Sequence, residues 1–358
     1  MSDISSFKNG IKTFHPGYFA LVMATGIISI ACQQLEYEWL ANFLFILNNV
    51  QYFILLLIFI VRLIFFFPQV KTDLSTHLKG AGFLTFVAAS CILGTSYVQG
   101  KQSFAPAIVL LTIALFAWVI LVYSFLSFVI LKKEKPSLET GINGSWLLLI
   151  VSTQSLVILA TSFAPHLSIP VNITVFATFS AWLAGMMLYV IFVTIIMYRL
   201  TFYPVNASEV SPSYWIDTGA AAITTVAGAT LATAYAKVEN FQQYIPVIHL
   251  LSLLLWAVAT FWLPLLFVLE TWRHFKAGFK YSPEYWSLVF PLGMYTVATL
   301  KLASALQMPF LHSIAHVFIF IALAAWTVVF TGMVIEVCKH LLSKEETETF
   351  SSKNNSLS

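Results

Sequence analysis

The sequence predicts an all-α integral membrane protein whose ten transmembrane helices form five hairpins. Hydrophobic residues make up 59% of the 358 residues and charged residues only 9%, whereas about 25% of a soluble domain is charged. Long apolar segments recur along the whole chain, and each approaches the roughly 20 residues that a helix needs to cross a bilayer. Short polar loops separate these segments, so we expect a single integral domain.

Ten segments of the chain are candidate membrane spans. They comprise residues 17–34, 43–67, 80–98, 107–131, 144–163, 172–200, 213–236, 244–270, 285–306 and 311–338. We therefore expect one ten-helix transmembrane domain at residues 17–338. A short segment at residues 1–16 and a polar tail at residues 339–358 lie outside this domain, and both are predicted to be cytoplasmic.

The distribution of lysine and arginine predicts this orientation. One side of the predicted topology carries most of them: Lys8, Lys12, Arg62, Lys71, Lys79, Lys132, Lys133, Lys135, Arg199, Arg273, Lys276, Lys280, Lys339, Lys344 and Lys353. The other side carries only Lys101, Lys237 and Lys301. Basic residues concentrate in cytoplasmic loops, so we expect a multi-pass protein of the plasma (cell inner) membrane with both termini in the cytoplasm. The net charge of +3 then reflects topology and gives no reason to expect nucleic acid as a partner.

Two kinds of apolar helix alternate along the chain. Residues 43–67 contain no Gly, Ala, Ser or Thr, whereas residues 219–234 consist mostly of Gly, Ala and Thr. A helix rich in Phe, Leu and Ile tolerates lipid on all sides, and small residues allow helix backbones to approach closely. The alternation predicts an inner ring of odd-numbered helices around a central pore and an outer ring of even-numbered helices. The alternative is that small residues mark only tight helix packing.

The polar residues of the odd spans are almost all uncharged. The exceptions are Asp217, in the first turn of the seventh span, where it can complement the helix dipole, and Lys301 in the ninth. The candidate pore-lining polar residues are Thr25, Ser90, Gln154 and Thr225. Cation channels are expected to use rings of Asp or Glu, so this composition favours a path for small anions. The same hydroxyl and amide groups could instead serve helix packing.

Helical geometry relates Lys301 to Phe290, which directly precedes Pro291 in the ninth span. Eleven residues separate the two, so on a straight helix they lie about 20° apart in azimuth and ~16 Å apart along the axis. Pro291 removes a backbone hydrogen bond and is expected to kink the helix there. If Phe290 faces the pore, Lys301 faces it too, near the outer mouth, where it would attract anions. The alternative for Lys301 is that it extends to the membrane interface.

Signals for an enzyme are weak. His312 and His316 share one helix face, but no third ligand accompanies them in sequence, and an interfacial or packing role is favoured. The three cysteines lie far apart and form no metal-binding pattern. We therefore expect no catalytic residues, no metal site and no cofactor. A membrane-embedded enzyme and a sensor without transport activity remain the alternatives to anion transport.

Two segments resemble the tellurite-resistance/dicarboxylate transporter family. The first is FHPGYFALVMATGIIS at the start of the first span, and the second is YWSLVFPLGMYTVATLKLA in the ninth. The family includes bacterial tellurite-resistance proteins, yeast malate and sulfite permeases, and the slow anion channels of plant guard cells.

The resemblance implies five inner and five outer helices around a pore, and a homotrimer with one pore in each subunit. It also implies that the phenylalanine before the inner-helix proline, here Phe290 before Pro291, closes the pore. The expected substrate is a small anion such as malate, another C4-dicarboxylate or sulfite, with chloride, nitrate and an indirect role in tellurite resistance left open. Whether transport follows a channel or a carrier mechanism is not decided by the sequence.

Overall fold

The computed structural model describes residues 8–207, 209–278 and 281–355, with side chains up to Lys339. Within these ranges the chain is all-α and contains ten long helices. They are α1 (Ala20–Gln34), α2 (Glu38–Phe65), α3 (Leu84–Lys101), α4 (Phe104–Leu131), α5 (Leu148–Phe163), α6 (Val171–Phe202), α7 (Ile216–Ala234), α8 (Ile245–Ala277), α9 (Trp286–Leu306) and α10 (Leu311–Asn355). Short helices at Phe67–Leu74 and Leu138–Gly141 connect α2 to α3 and α4 to α5.

Each predicted span corresponds to one long helix, which confirms the all-α membrane fold. Over the described residues, nine helices are long and apolar enough to cross a membrane. The long helix outside that set is α7, because its many Gly, Ala and Thr residues lower its mean hydropathy. The prediction that ten helices cross the membrane therefore stays a prediction for α7. The last helix continues to Asn355, beyond the expected end of the tenth span at residue 338.

The odd-numbered helices form a closed inner ring. Helix α1 packs against α3, α3 against α5, α5 against α7, α7 against α9, and α9 against α1. Each even-numbered helix packs against the odd helix that precedes it and touches the odd helix that follows. Burial separates the two rings: 78% to 89% of the span residues are buried in α1, α3, α5 and α9, but only 22% to 33% in the five even helices.

Every inner helix begins with a turn of 3₁₀-helix. The five turns are Pro16–Phe19, Gly80–Phe83, Gly144–Leu147, Pro212–Trp215 and Pro283–Tyr285. Each turn contacts its two neighbours, so the turns form a ring of their own, and the five inner helices start at the same end of the molecule. A side chain caps four of these turns by accepting a backbone N–H, namely His15, Asn143, Ser211 and Ser282.

The ring of turns is tight enough to require glycine. A Cβ atom added at Gly144 would lie only 2.0 Å from the carbonyl oxygen of Ser213 in the next inner segment. Backbone atoms cannot give way as a flexible side chain can, so any larger residue at Gly144 would push two inner helices apart.

One hydrogen bond between the rings is repeated five times. An aromatic residue of each outer helix bonds to the next inner helix, and α10 closes the circle onto α1. The pairs are Tyr52 with Ser90 (2.9 Å), Trp118 with Thr153 (2.9 Å), Trp182 with the Thr224 carbonyl (2.9 Å), Trp256 with Thr299 (2.9 Å) and Trp326 with Thr25 (3.0 Å). Buried indole N–H groups need such partners, so these bonds fix the height of each outer helix against the inner ring.

Candidate functional site

The inner ring encloses a narrow cavity toward the C-terminal ends of its helices, which we name the C-terminal vestibule. Residues from all five inner helices line it, so it lies on the ring axis. They are Ile27, Ile30, Gln34, Cys91, Ile92, Thr95, Gln99, Ser155, Ile158, Ile223, Val226, Met294, Val297 and Lys301. The centre of a water molecule can occupy only ≈ 20 Å³ of this space, which is room for about one water molecule.

A second cavity, the N-terminal vestibule, lies where the inner helices begin. All five inner segments contribute again, through His15, Gly17, Leu78, Gly82, Thr85, Asn143, Ser145, Leu148, Ser211, Ser213, Ile216, Pro283, Glu284 and Ser287. The space open to the centre of a water molecule is ≈ 60 Å³. This lining is richer in hydroxyl and amide groups than that of the C-terminal vestibule, and Glu284 is the one carboxylate that the described residues contribute to it.

Phe290 lies on the face of α9 that connects the two vestibules. Ser287 lines the N-terminal vestibule, and Met294, Val297 and Lys301 line the C-terminal vestibule. Steps of three or four residues along a helix return to the same face, so Phe290 falls on this stripe between the two cavities. Its side chain is 1% exposed. The Phe290 side chain is therefore buried between the two cavities.

Small residues face Phe290 across the path. On α7, Ile216 lines one vestibule and Ile223 the other, and Gly219 lies between them on the same face. A Cβ atom added at Gly219 would lie 3.2 Å from Cε1 of Phe290 and 3.0 Å from Cγ of Pro291. The phenyl ring therefore packs directly on the backbone of α7.

Pro291 lies inside α9, which remains helical from Trp286 to Leu306. Proline has no backbone N–H, so the carbonyl of Ser287, four residues earlier, receives no helical hydrogen bond from that position. Ser287 itself lines the N-terminal vestibule, so the proline frees a carbonyl of a residue that borders this cavity.

Lys301 lies in the C-terminal vestibule, on the same stripe of α9 as Phe290. Among the described residues, no Asp or Glu lines this cavity, and Lys301 has no hydrogen bond or ion pair. Gln34 and Gln99 line the same cavity, and the sequence reasoning missed both. Each lies seven residues beyond a lining residue of its own helix, Ile27 or Ile92, which is two helical turns along the same face.

The four predicted pore-lining polar residues take a different position. Thr25 accepts a hydrogen bond from the indole of α10, and Ser90 bonds the tyrosine of α2. Gln154 donates to a carbonyl of α6 (3.0 Å), and Thr225 donates to a carbonyl of α8 (3.2 Å). None of the four lines either vestibule. Their polar groups face the outer ring, where they satisfy buried partners and hold the two rings together.

Two groups singled out in the sequence lie away from the axial path. Asp217 is fully buried, and neither of its carboxylate oxygens has a hydrogen-bond partner among the described residues. His312 and His316 are exposed on the outer face of α10. No cluster of three or more His, Cys, Asp or Glu residues occurs in the described part of the chain, so the histidine pair gains no further ligands there.

His15 is the titratable cap of the N-terminal vestibule. Its Nδ1 atom accepts the backbone N–H of Gly17 at 3.1 Å, which requires that this nitrogen carry no proton. Burial lowers the pKa of His15 below its ordinary value, and the carboxylate of Glu284 opposes that shift. Burial and the cap together favour the neutral imidazole around neutral pH.

The fold and the site define a class of protein: an all-α membrane protein with a closed ring of five helices that encloses two cavities on its axis. That architecture is typical of channels and transporters. The chain belongs to the SLAC1 family of voltage-dependent anion channels, whose family model matches residues 13–334. This match confirms the family resemblance of the first and ninth spans.

Several relatives are similar to this chain over most of their length. An uncharacterized transporter of Methanocaldococcus jannaschii is 25% identical over 303 residues, which cover 81% of this chain and 83% of the relative. A sulfite efflux pump of Trichophyton rubrum is 24% identical over 361 residues and 92% of both chains. An uncharacterized membrane protein of Mycobacterium tuberculosis is 33% identical over 153 residues, 41% of this chain and 76% of the relative. The family and these relatives identify the chain as an anion transport protein and not as an enzyme.

Proposed function

We propose that the protein moves a small oxyanion, sulfite in the first instance, along the axis of the inner ring. The observation that carries this proposal is the single stripe on α9 that runs from Ser287 through Phe290 to Lys301 and borders both vestibules. In the part of the chain that the structure describes, no carboxylate lines the C-terminal vestibule, which disfavours cations. Sulfite is favoured over malate because the relatives named as sulfite efflux pumps match 92% or more of this chain, and because both vestibules are small.

Phe290 is the gate in this proposal. Its ring is the bulky group between two cavities at a level where α7 presents Gly219. An apolar constriction closes a path both by occupying it and by excluding water. Pro291, packed beside the ring on the same glycine, removes one backbone hydrogen bond of α9 at this level.

Lys301 attracts the anion in the C-terminal vestibule. A cation with no acidic partner in a narrow cavity raises the local concentration of anions, and the effect weakens as salt screens it. Gln34 and Gln99 complete the polar group at this mouth, since their amides can donate hydrogen bonds to an oxyanion. They replace Thr25, Ser90, Gln154 and Thr225 as the proposed polar lining.

The proposed setting is the plasma membrane, with both termini in the cytoplasm and three subunits in a complex, each with its own pore. The uneven distribution of Lys and Arg supports the orientation. The N-terminal vestibule then opens to the cytoplasm, and Lys301 lies near the outside.

Uptake into proteoliposomes tests the proposed function. Purified protein is reconstituted, and the initial uptake of radiolabelled sulfite, malate and chloride is compared with that of protein-free liposomes. We expect sulfite uptake to exceed malate uptake. No uptake of any of the three anions would refute the proposed transport of sulfite, malate and chloride. Saturation together with acceleration by sulfite on the opposite side would indicate a carrier, and uptake without such exchange would indicate a channel.

A further inference from the structure

We propose that the N-terminal vestibule is a binding site for a small oxyanion, which is held there by the starts of five helices and by the hydroxyl of Ser213 before it reaches the constriction. This proposal deepens the transport function and rests on it, because it assigns a waiting position to the transported anion. It concerns residues that play no part in the proposed gate or in the attraction by Lys301.

The electrostatics of this vestibule follow from the parallel inner helices. All five begin at this cavity, and the turns that start them contact one another in a closed ring. Each helix start carries a partial charge of roughly +0.5 from its aligned peptide dipoles. Anions bind readily at single helix starts for this reason. Five of them around one cavity make its potential positive without any lysine or arginine in the lining.

The unsatisfied hydroxyl of Ser213 indicates a ligand independently of the helix starts. Its side chain lines the vestibule and is 6% exposed, yet its Oγ atom has no hydrogen-bond partner among the described residues. The equivalent hydroxyl in the preceding inner segment, Ser145, is satisfied because it donates to Asn143 at 2.5 Å. A buried hydroxyl without a partner is unfavourable, and an oxyanion in the cavity would accept its proton.

The hydrogen bonds around Ser213 explain why its hydroxyl has no partner among the described residues. The Oγ atom of Ser211 accepts the backbone N–H of Ser213 at 3.1 Å, so the cap of this turn is already provided. Ser211 in turn donates its own proton to the carboxylate of Glu284 at 2.8 Å. The Ser213 hydroxyl is therefore not needed for capping and is available to a ligand.

Glu284 provides an opposite effect at the same site. Its side chain is exposed at the rim of the vestibule, where its negative charge repels an incoming anion. Removal of that charge should strengthen anion binding, whereas removal of the Ser213 hydroxyl should weaken it. Two substitutions in one cavity with opposite expected signs cannot both be explained by a general loss of stability.

The size of the cavity limits the ligand. A space of ≈ 60 Å³ for the centre of a water molecule holds a few water molecules or one oxyanion built on a single central atom. Sulfite fits this description better than an extended C4-dicarboxylate does.

Thermal unfolding in detergent, followed by tryptophan fluorescence, measures binding without any need for transport. Sodium sulfite is titrated against sodium gluconate at constant ionic strength, because a ligand that binds the folded state raises the melting temperature. The titration is made in a Lys301→Gln background, which removes the other proposed anion attraction. We expect Ser213→Ala to raise the half-saturating sulfite concentration about tenfold and Glu284→Gln to lower it about threefold. Ser304→Ala, which changes an exposed hydroxyl on α9 bonded to its own helix, should leave it unchanged.

The outcomes separate this inference from the proposed function. A melting temperature that does not respond to sulfite in the Lys301→Gln background would overturn the vestibule site. The same holds if Ser213→Ala and Glu284→Gln both leave the half-saturating concentration unchanged, or if both move it in one direction. Sulfite uptake into proteoliposomes, measured in parallel, tests transport separately, because uptake does not depend on the melting-temperature result. If Ser213→Ala fails to fold, Glu284→Gln at the exposed rim still decides the matter.

Discussion

Substitution of Gly219 by alanine tests whether the ring of Phe290 packs on α7 as described. The added Cβ atom would lie 3.2 Å from the phenyl ring and 3.0 Å from Pro291, both closer than ordinary van der Waals contact. Overpacking of this kind typically costs 1–3 kcal/mol, and the change from Gly to Ala inside a helix gains about 1 kcal/mol. We therefore expect Gly219→Ala to reduce the free energy of unfolding by about 1 kcal/mol.

The double variant isolates the contact with the phenyl ring. In a Phe290→Ala background the ring is absent, so the part of the overpacking cost that arises at the ring disappears, while the helix preference for alanine remains. We expect the effect of Gly219→Ala to become neutral or stabilising, with a coupling of about 1–2 kcal/mol between the two positions. The contact with Pro291 persists in both backgrounds and cancels from the comparison.

Thermal and denaturant unfolding in detergent, followed by tryptophan fluorescence, provides the measurement. Gly10→Ala is the matched control, because a Cβ atom there would meet no atom within 4 Å. The reasoning fails if Gly219→Ala is as stable as the control and shows no coupling to Phe290→Ala. That result would mean that the phenyl ring does not lie against α7.

Three further predictions concern the two rings, the vestibule and the C-terminal mouth. Trp256→Phe leaves the Thr299 hydroxyl without its indole donor and should destabilise the protein by about 1 kcal/mol. The additional change Thr299→Val should recover part of that loss, and unfolding in detergent measures both effects. Burial lowers the pKa of His15, so the unfolded chain binds more protons than the folded protein as the pH falls below 6.5. The free energy of unfolding is therefore highest above that pH and declines below it. His15→Asn should flatten this decline, as measured by melting temperatures between about pH 5.5 and 7.5. Lys301→Gln should reduce sulfite uptake severalfold at low ionic strength and much less at high salt, and equal uptake by both proteins at both salt concentrations would instead mean that Lys301 extends to the interface.

The sequence was sufficient to predict the architecture because composition alone distinguishes the two rings. A helix such as α7, which is rich in Gly, Ala and Thr, presents little apolar surface to lipid. The bulky side chains of a helix such as α2 prevent close packing in the inner ring. The alternation of such helices therefore predicts inner and outer positions. It does not show that the ring closes from α9 onto α1, which depends on the packing of helices far apart in the chain.

The candidate site was only partly predictable. Phe290 and Lys301 could be placed on one face because helical geometry relates positions within a single helix. Thr25 could not be oriented in the same way, since no pore-facing residue of α1 was known from the sequence. Once Ile27 is known to line the C-terminal vestibule, Thr25 falls about 200° away around the helix, which agrees with its bond to the outer ring.

The five inter-ring hydrogen bonds could not be predicted for a related reason. Each joins residues at least 35 positions apart, and the pair between Trp326 and Thr25 connects the two ends of the chain. A hydroxyl on an apolar helix has the same appearance in sequence whether it faces a path or an indole. Only the contact in three dimensions separates the two roles, and here it assigns the hydroxyl of Thr25 to packing.

The central claim is that anions cross at Phe290, and the current carried by Phe290→Ala tests it most directly. Wild-type protein, Phe290→Ala and the control Phe261→Ala, whose ring is 67% exposed on α8, are compared in planar bilayers or oocytes at equal surface expression. Loss of the ring opens the constriction between the two vestibules, so we predict a larger anion current for Phe290→Ala and a wild-type current for Phe261→Ala. A stable Phe290→Ala protein that conducts no more than wild type would contradict the account, because the axial path would then be closed elsewhere.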